Sequence, residues 1–285
     1  MTQEATMYTF PTPGPTNLRV ELGVGRCNIR AEDTDTTTVE LVAIHGDSYA
    51  QELVDRSTVE QRGDNVVVLV PKAKGGLFGR KGEVEATIVV PTATNVDVQL
   101  GSADLDTRGT LGRAKIGSGS GDITLEAATD VTAKSGSGDL RIDRATGSVS
   151  SKGGSSDTQI GFIGGDFEFL TGSGDIEVKQ IHGSLRGKAG SGDIEIGQAG
   201  DGVDIILGSG DLDIARADRG LLKAKTGSGD VTIGVANGTA VYLDVVTGSG
   251  ETRSSLDGTD APTDGEQTVE LNVRTGSGDV VLQRA

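Results

Sequence analysis

The chain has 285 residues, a formal charge of −16 from 26 Lys and Arg against 42 Asp and Glu, and 45 Gly. This acidity excludes nucleic acid and anionic lipid as bulk partners. The absence of Trp and an aromatic content of 3% remove the stacking platforms of single-strand binders and of broad sugar surfaces.

Glycine at this level is compatible with disorder, but Val, Ile and Leu alternate with polar residues almost throughout. Many short strands joined by Gly turns are therefore predicted. Residues 1–14 read as a disordered or extended N-terminus. They show neither a basic n-region nor an apolar h-region, and the longest aliphatic run is "VVVLV" at 66–70. No signal peptide or transmembrane segment is expected, and the predicted localisation is cytoplasmic. Cys27 is the single cysteine, so no intrachain disulfide can form; in its strand pattern it reads as a small packed residue.

Residues 15–98 read as an irregular β-rich cap continuous with the regular repeats of 99–285. Strands are predicted at 17–23, 26–32, 37–44, 57–63, 65–71, 83–91 and 95–101, with "RGDN" at 62–65 as a hairpin turn. No segment has helical periodicity over ten residues. "PKAKGGLFGRKGE" at 71–83 is the one concentrated basic stretch, with Lys72, Lys74, Arg80 and Lys81 around Leu77 and Phe78. Two readings fit it: a contact with an acidic partner or a membrane surface, or a mobile loop between two strands.

In 99–285 an acidic residue closes each Gly-rich turn. These acids fall at Asp104, Asp122, Asp139, Asp157, Asp175, Asp193, Asp211 and Asp230, about 18 residues apart, then at Glu251 and Asp279 after longer gaps. Within 193–210, "DIEIGQAGDGVDIILGSG", Ile194 and Ile196 form one alternating stretch and Val203, Ile205 and Leu207 a second. Two one-sided strands per repeat predict an all-β fold. It is a single-stranded β-solenoid, or β-helix, of about ten coils with about 18 residues per coil. The polar stretch 253–267 reads as an inserted loop.

The turns "TGSGDI", "AGSGDI", "LGSGDL" and "TGSGDV" have a structural reading. Gly permits φ > 0, and Ser and Asp satisfy turn amides. A functional reading makes the acidic column a Ca2+ site, with Asp139, Asp175, Asp193, Asp211 and Asp230 as candidates. Against it, one acid per 18 residues is sparser than in calcium-binding nonapeptide repeats, and calcium takes six to eight oxygens. Phe162, Phe167 and Phe169 mark either a contact patch or a wider part of the core. His45 and His182 are too separated for zinc, and no G-x-S-x-G elbow frames any Ser. No catalytic or cofactor-binding residue is assigned.

With these turns after a β-rich start, the chain resembles the bacterial "putative adhesin" family, a domain-of-unknown-function family of Gly-Ser-Gly-Asp β-strand repeats. The likeness is strong over 99–285 and weak over 15–98. It implies a single-chain β-solenoid without established enzyme activity. The function expected is a non-enzymatic structural or interaction scaffold whose partner is a protein or a second copy. Self-association would run through the ends, with Val281→Lys as its probe. The alternatives are a calcium-tuned or carbohydrate-binding surface adhesin and, third, a polysaccharide-acting β-helix enzyme.

Overall fold

The computed structural model of the chain describes residues 6–44, 47–72, 82–256 and 267–285. Two compact units divide the chain, Met1–Arg144 and Ala145–Ala285. Both are built almost wholly of strands in which alternate residues are buried. β-Branched and Leu side chains fill the inside of each coil, while charged and polar residues face out.

The first unit contains β1 (Thr6–Pro11), β2 (Asn17–Glu32), β3 (Thr36–Ala43), α1 (Ser48–Asp55), β4 (Thr58–Arg62), β5 (Asn65–Leu69), β6 (Val84–Pro91), β7 (Asn95–Ser118), β8 (Ile123–Ser135) and β9 (Leu140–Ala145). β2, β7 and β8 stack in parallel, with Asn17 beside Asn95 and Leu105 beside Ile123. On the other side of β2 two shorter strands share its length, β5 along 17–21 and β6 along 25–32. There the pairing changes sense. β4 is antiparallel to β5, β3 to β6, and β1 to β3.

Helix α1 lies against β3 and β6 and buries Ala50, Leu53 and Val54. Asp47 caps it, accepting the Tyr49 N–H at 3.0 Å. A solenoid coil left bare would expose core and unpaired backbone; antiparallel strands and a helix cover this one. The predicted strands of the cap are present, with 17–23 and 26–32 fused into β2. The hairpin at 62–65 is also present, with Arg62 paired to Asn65 and Gly63 at φ +58°.

The second unit contains β10 (Val149–Ser155), β11 (Thr158–Ile163), β12 (Phe167–Ser173), β13 (Ile176–Ile181), β14 (Leu185–Ser191), β15 (Ile194–Ala199), β16 (Val203–Ser209), β17 (Leu212–Ala217), β18 (Gly220–Ser228), β19 (Val231–Val235), β20 (Ala240–Ser249), β21 (Thr252–Ser254), β22 (Thr268–Ser277) and β23 (Val280–Arg284). Each coil contributes two strands. β10, β12, β14, β16 and β18 form one parallel ladder; β11, β13, β15, β17 and β19 form the other. Residues 18 apart stand side by side, so Ile176, Ile194 and Leu212 make one buried row. Where Phe169 enters the core, the neighbouring coil supplies Gly187, whose missing side chain is the space the ring occupies.

The last two coils are stacked out of chain order. β18 pairs with β22 rather than β20, and β19 with β23 rather than β21. β20 and β21 then pair with the far sides of β22 and β23. The coil at 268–284 is therefore interior, and the coil at 240–254 is outermost among the described residues. Val281, expected to probe an end, stands between Thr232 and Arg253 and probes an inner coil instead. Most of the loop expected at 253–267 lies outside the described residues.

Candidate functional site

The Gly-Ser-Gly-Asp turn is built for contact between coils. A Cβ on Gly190 would sit 2.5 Å from the Gly172 carbonyl oxygen of the preceding coil, so only Gly allows that approach. Gly192 adopts φ +109°, a conformation that L side chains avoid.

The acid at the end of the turn joins three coils. The Asp193 N–H donates to Asp175 Oδ1 at 2.8 Å, and its carbonyl accepts the Ile176 N–H at 2.9 Å. Its own Oδ1 accepts the Asp211 N–H at 2.8 Å. At the corner the main chain leaves the regular ladder, and the carboxylate replaces the missing carbonyl acceptor.

The same bond recurs along the column. In the first unit Asp122 donates to Asp104 and Asp139 to Asp122. In the second unit the series runs from Asp175 on Asp157 through Asp230 on Asp211, then Asp279 on Asp230 and Glu251 on Asp279, at 2.7–2.9 Å. The acceptor role is thus directed to the next coil, not to the residue's own turn. Glu251 belongs to the outermost coil, with no further described turn to satisfy, and its carboxylate pairs with Arg253 at 2.7 Å.

The column brings Asp175, Asp193, Asp211 and Asp230 together in the second unit, while Asp139 ends the series of the first. One oxygen of each linking carboxylate is already committed to an amide. Among the described residues, no group of three or more His, Cys, Asp or Glu could hold a metal ion.

Two other acids are tuned by hydrogen bonds. The Ser184 N–H and hydroxyl, at 2.8 and 2.9 Å, hold the Asp166 carboxyl below the usual carboxylate range. Burial disfavours the charge on Asp218, but hydrogen bonds from Gln198 and Arg216, both at 2.7 Å, outweigh it and its carboxyl also sits low.

Of the basic stretch, Lys72 is exposed, while Lys74, Leu77, Phe78, Arg80 and Lys81 lie outside the described residues, as does His45. Phe167 and Phe169 are core, their ring centroids 5.3 Å apart. Phe162 is half-buried edge-on to His182 at 4.9 Å. Cys27 is fully buried, and desolvation pushes its thiol pKa up to about 12.

The surface feature that sequence reasoning missed is the outer edge of β20. Among the described residues β20 pairs with β22 alone. Tyr242, Leu243 and Val246 are 54%, 49% and 53% exposed. Leu243 continues the inward row of Leu271, yet among the described residues nothing covers its far side to the depth at which Leu271 is buried. The signal was present in "AVYLDVVTGS", but it has value only once the strand order is known.

No curated protein matches the chain. Among solved structures it is similar to a "putative lipid binding protein" of Parabacteroides distasonis, at 13% identity and a TM-score of 0.48 over 99% of this chain and 97% of that one. It is also similar to a "putative adhesin" of Bacteroides fragilis, at 12% identity and a TM-score of 0.44 over 99% and 98%. A "putative adhesin" of Parabacteroides merdae matches at 10% identity and a TM-score of 0.44 over 98% and 96%. No helix among the described residues is long and apolar enough to cross a membrane. The family model of the Toastrack domain of unknown function, DUF4097, matches residues 16–283, and the chain belongs to this family.

Proposed function

We propose that the chain is a non-enzymatic interaction scaffold whose contact surface is the outer edge of β20, and that this edge pairs with its counterpart on a second copy. The observation that carries the reading is a parallel strand whose outer edge is unpaired among the described residues, with Tyr242, Leu243 and Val246 exposed and one charge, Asp244, along its ten residues. Such edges are normally blunted by Lys, Pro or a bulge, and this one has none of them. Asp244 is moreover offset by Arg274 at 3.5 Å.

A second copy is the occupant that suits it. Two-fold antiparallel pairing of the two edges covers both half-open rows of Val241, Leu243 and Val245 at once. Continuation of the Asp column from one copy into the next is less well supported. The outermost acid is Glu251, and Arg253 engages it. The calcium-tuned reading draws less support for a related reason: each linking carboxylate already accepts an amide.

The test is molar mass by light scattering on the full chain over a concentration series, at low and moderate salt. Twice the chain mass is expected, favoured by salt because each copy carries −16. The double variant Leu243→Lys, Val246→Lys should remain monomeric, while Val281→Lys, on an inner coil, serves as the comparison. A wild type monomeric at every concentration, or a double variant that still dimerises, overturns the proposal.

A further inference from the structure

The first unit carries a feature that the edge of β20 does not explain. Four cationic side chains, Arg19, Arg62, Arg113 and Lys115, line one groove of about 480 Å³ in which, among the described residues, Asp97 is the only acid. In a chain of net charge −16 this is a local reversal of sign.

The sheet places them there. Arg19 on β2 stands beside Asp97 on β7, and Lys115, one coil further on, reaches Asp97 at 2.9 Å. Arg113 lies two residues before Lys115 on the same outward face, and Arg62 comes from β4, beyond β5. From β4 to β2, and from β2 to the second pass of β7, is two ladder steps, about 9.5 Å each. Between the cations runs a row of amides. Asn65, Asn17 and Asn95 stand side by side, and Asn95 Nδ2 donates to Asn17 Oδ1 at 3.1 Å.

Arg62 and Arg113 flank the amide row, and Arg19 and Lys115 flank Asp97 in the next outward row; a face of cations and amides together matches a ligand that carries both anionic groups and hydroxyls. Among the described residues the groove has no aromatic lining, so bases or flat sugar faces find no stacking partner there. Guanidinium groups take carboxylates in bidentate fashion, and Asn both donates to and accepts from hydroxyls. Arg19 is held by Glu21 at 2.6 Å and Arg62 by Glu60 at 2.5 Å, but both pairs are exposed. Exposed pairs of this kind are screened by water and contribute little, so a ligand carboxylate can replace them.

We infer that this groove, lined by Arg19, Arg62, Arg113 and Lys115 with the Asn17–Asn65–Asn95 row, binds an acidic oligosaccharide.

The test is titration calorimetry of the full chain with an oligogalacturonate. A neutral malto-oligosaccharide of equal length and phosphatidylserine vesicles are run in parallel. Binding of the oligogalacturonate is expected, weakened by added salt. Arg19→Gln and Arg113→Gln should each weaken it about tenfold, the loss of one charge-assisted contact. Arg186→Gln, exposed in the second unit, should leave it unchanged. Circular dichroism confirms that each variant is folded. No binding of the oligogalacturonate, equal binding of the neutral sugar, or indifference to both groove substitutions overturns the assignment. Vesicle binding with the same dependence on Arg19 and Arg113, in place of sugar binding, overturns it in favour of lipid headgroups.

Discussion

Replacing Asp193 separates the two things a carboxylate does in the column. Asp193→Ala removes the acceptor of the Asp211 N–H, a bond of 2.8 Å. A hydrogen bond to a charged partner is worth about 1.5–3 kcal/mol when sheltered, but this turn is exposed and water can replace part of it. The expected loss is about 1 kcal/mol, the size of a lost helix cap. In a cooperative unit the size of Ala145–Ala285 that lowers Tm by about 3 °C. Asp193→Asn keeps an Oδ1 acceptor and removes the charge. Neighbouring carboxylates stand roughly one ladder step apart, about 4.8 Å, where like charges in water repel by about 0.9 kcal/mol before screening. Relief of that repulsion against Asp175 and Asp211 offsets the weaker neutral bond. The expected order of stability is therefore Asn equal to or above wild type, and Ala below both. Thermal unfolding followed by circular dichroism at low salt measures it. An Asn variant as unstable as the Ala variant would refute the hydrogen-bond account of the column.

Two further outcomes concern groups whose ionisation the fold shifts. Cys27 is buried and its pKa raised to about 12, so the native protein at pH 8 should leave it unmodified by a disulfide reagent, and guanidinium should release one thiol per chain; rapid native modification would contradict its burial. The Asp97, Asp166 and Asp218 carboxyls have folded pKa values below the unfolded value of about 3.9. The stability they add is present above that value and is lost as pH falls through the folded ones. Urea midpoints should fall between pH 5 and pH 2, more steeply in wild type than in Asp166→Asn; parallel profiles would count against the Ser184 bonds as the cause.

The solenoid was legible because its period is written three times over: in the Gly positions, in the Asp positions and in the alternation of Ile, Val and Leu between them. Even Gly187 beside Phe169 follows from residues 18 apart being neighbours. The short helix was not legible at a ten-residue threshold. Its eight residues bury only Ala50, Leu53 and Val54, though Asp47 and that spacing are an N-cap followed by one apolar face. Beyond the β4–β5 hairpin, which its turn at 62–65 announced, the antiparallel closure of the cap left no mark, because a strand's alternation is the same in either sense of pairing. The groove was hidden for another reason. Arg19, Arg62 and Arg113 are scattered over almost a third of the chain, and only stacked coils bring them side by side. The basic run at 71–83 is the more conspicuous in sequence because its charges are adjacent there. The exchange of the last two coils is invisible in the motif, since Thr226, Thr247 and Thr275 open nearly identical turns.

That exchange sets a problem of timing. As the chain is synthesised, residues 240–254 emerge before residues 268–284, yet the latter must lie directly on β18 and β19. For that interval the freshly made face of β18 and β19 is open, and the strand at hand is β20, with the same Thr-Gly-Ser corner as the strand that belongs there. Early docking of β20 would satisfy the ladder and bury apolar surface, and it would have to be undone before β22 could enter. A stack whose repeats suggest simple zippering from one end thus contains one step that must wait or reverse. Slow, non-native pairing during refolding is the hazard such a step creates.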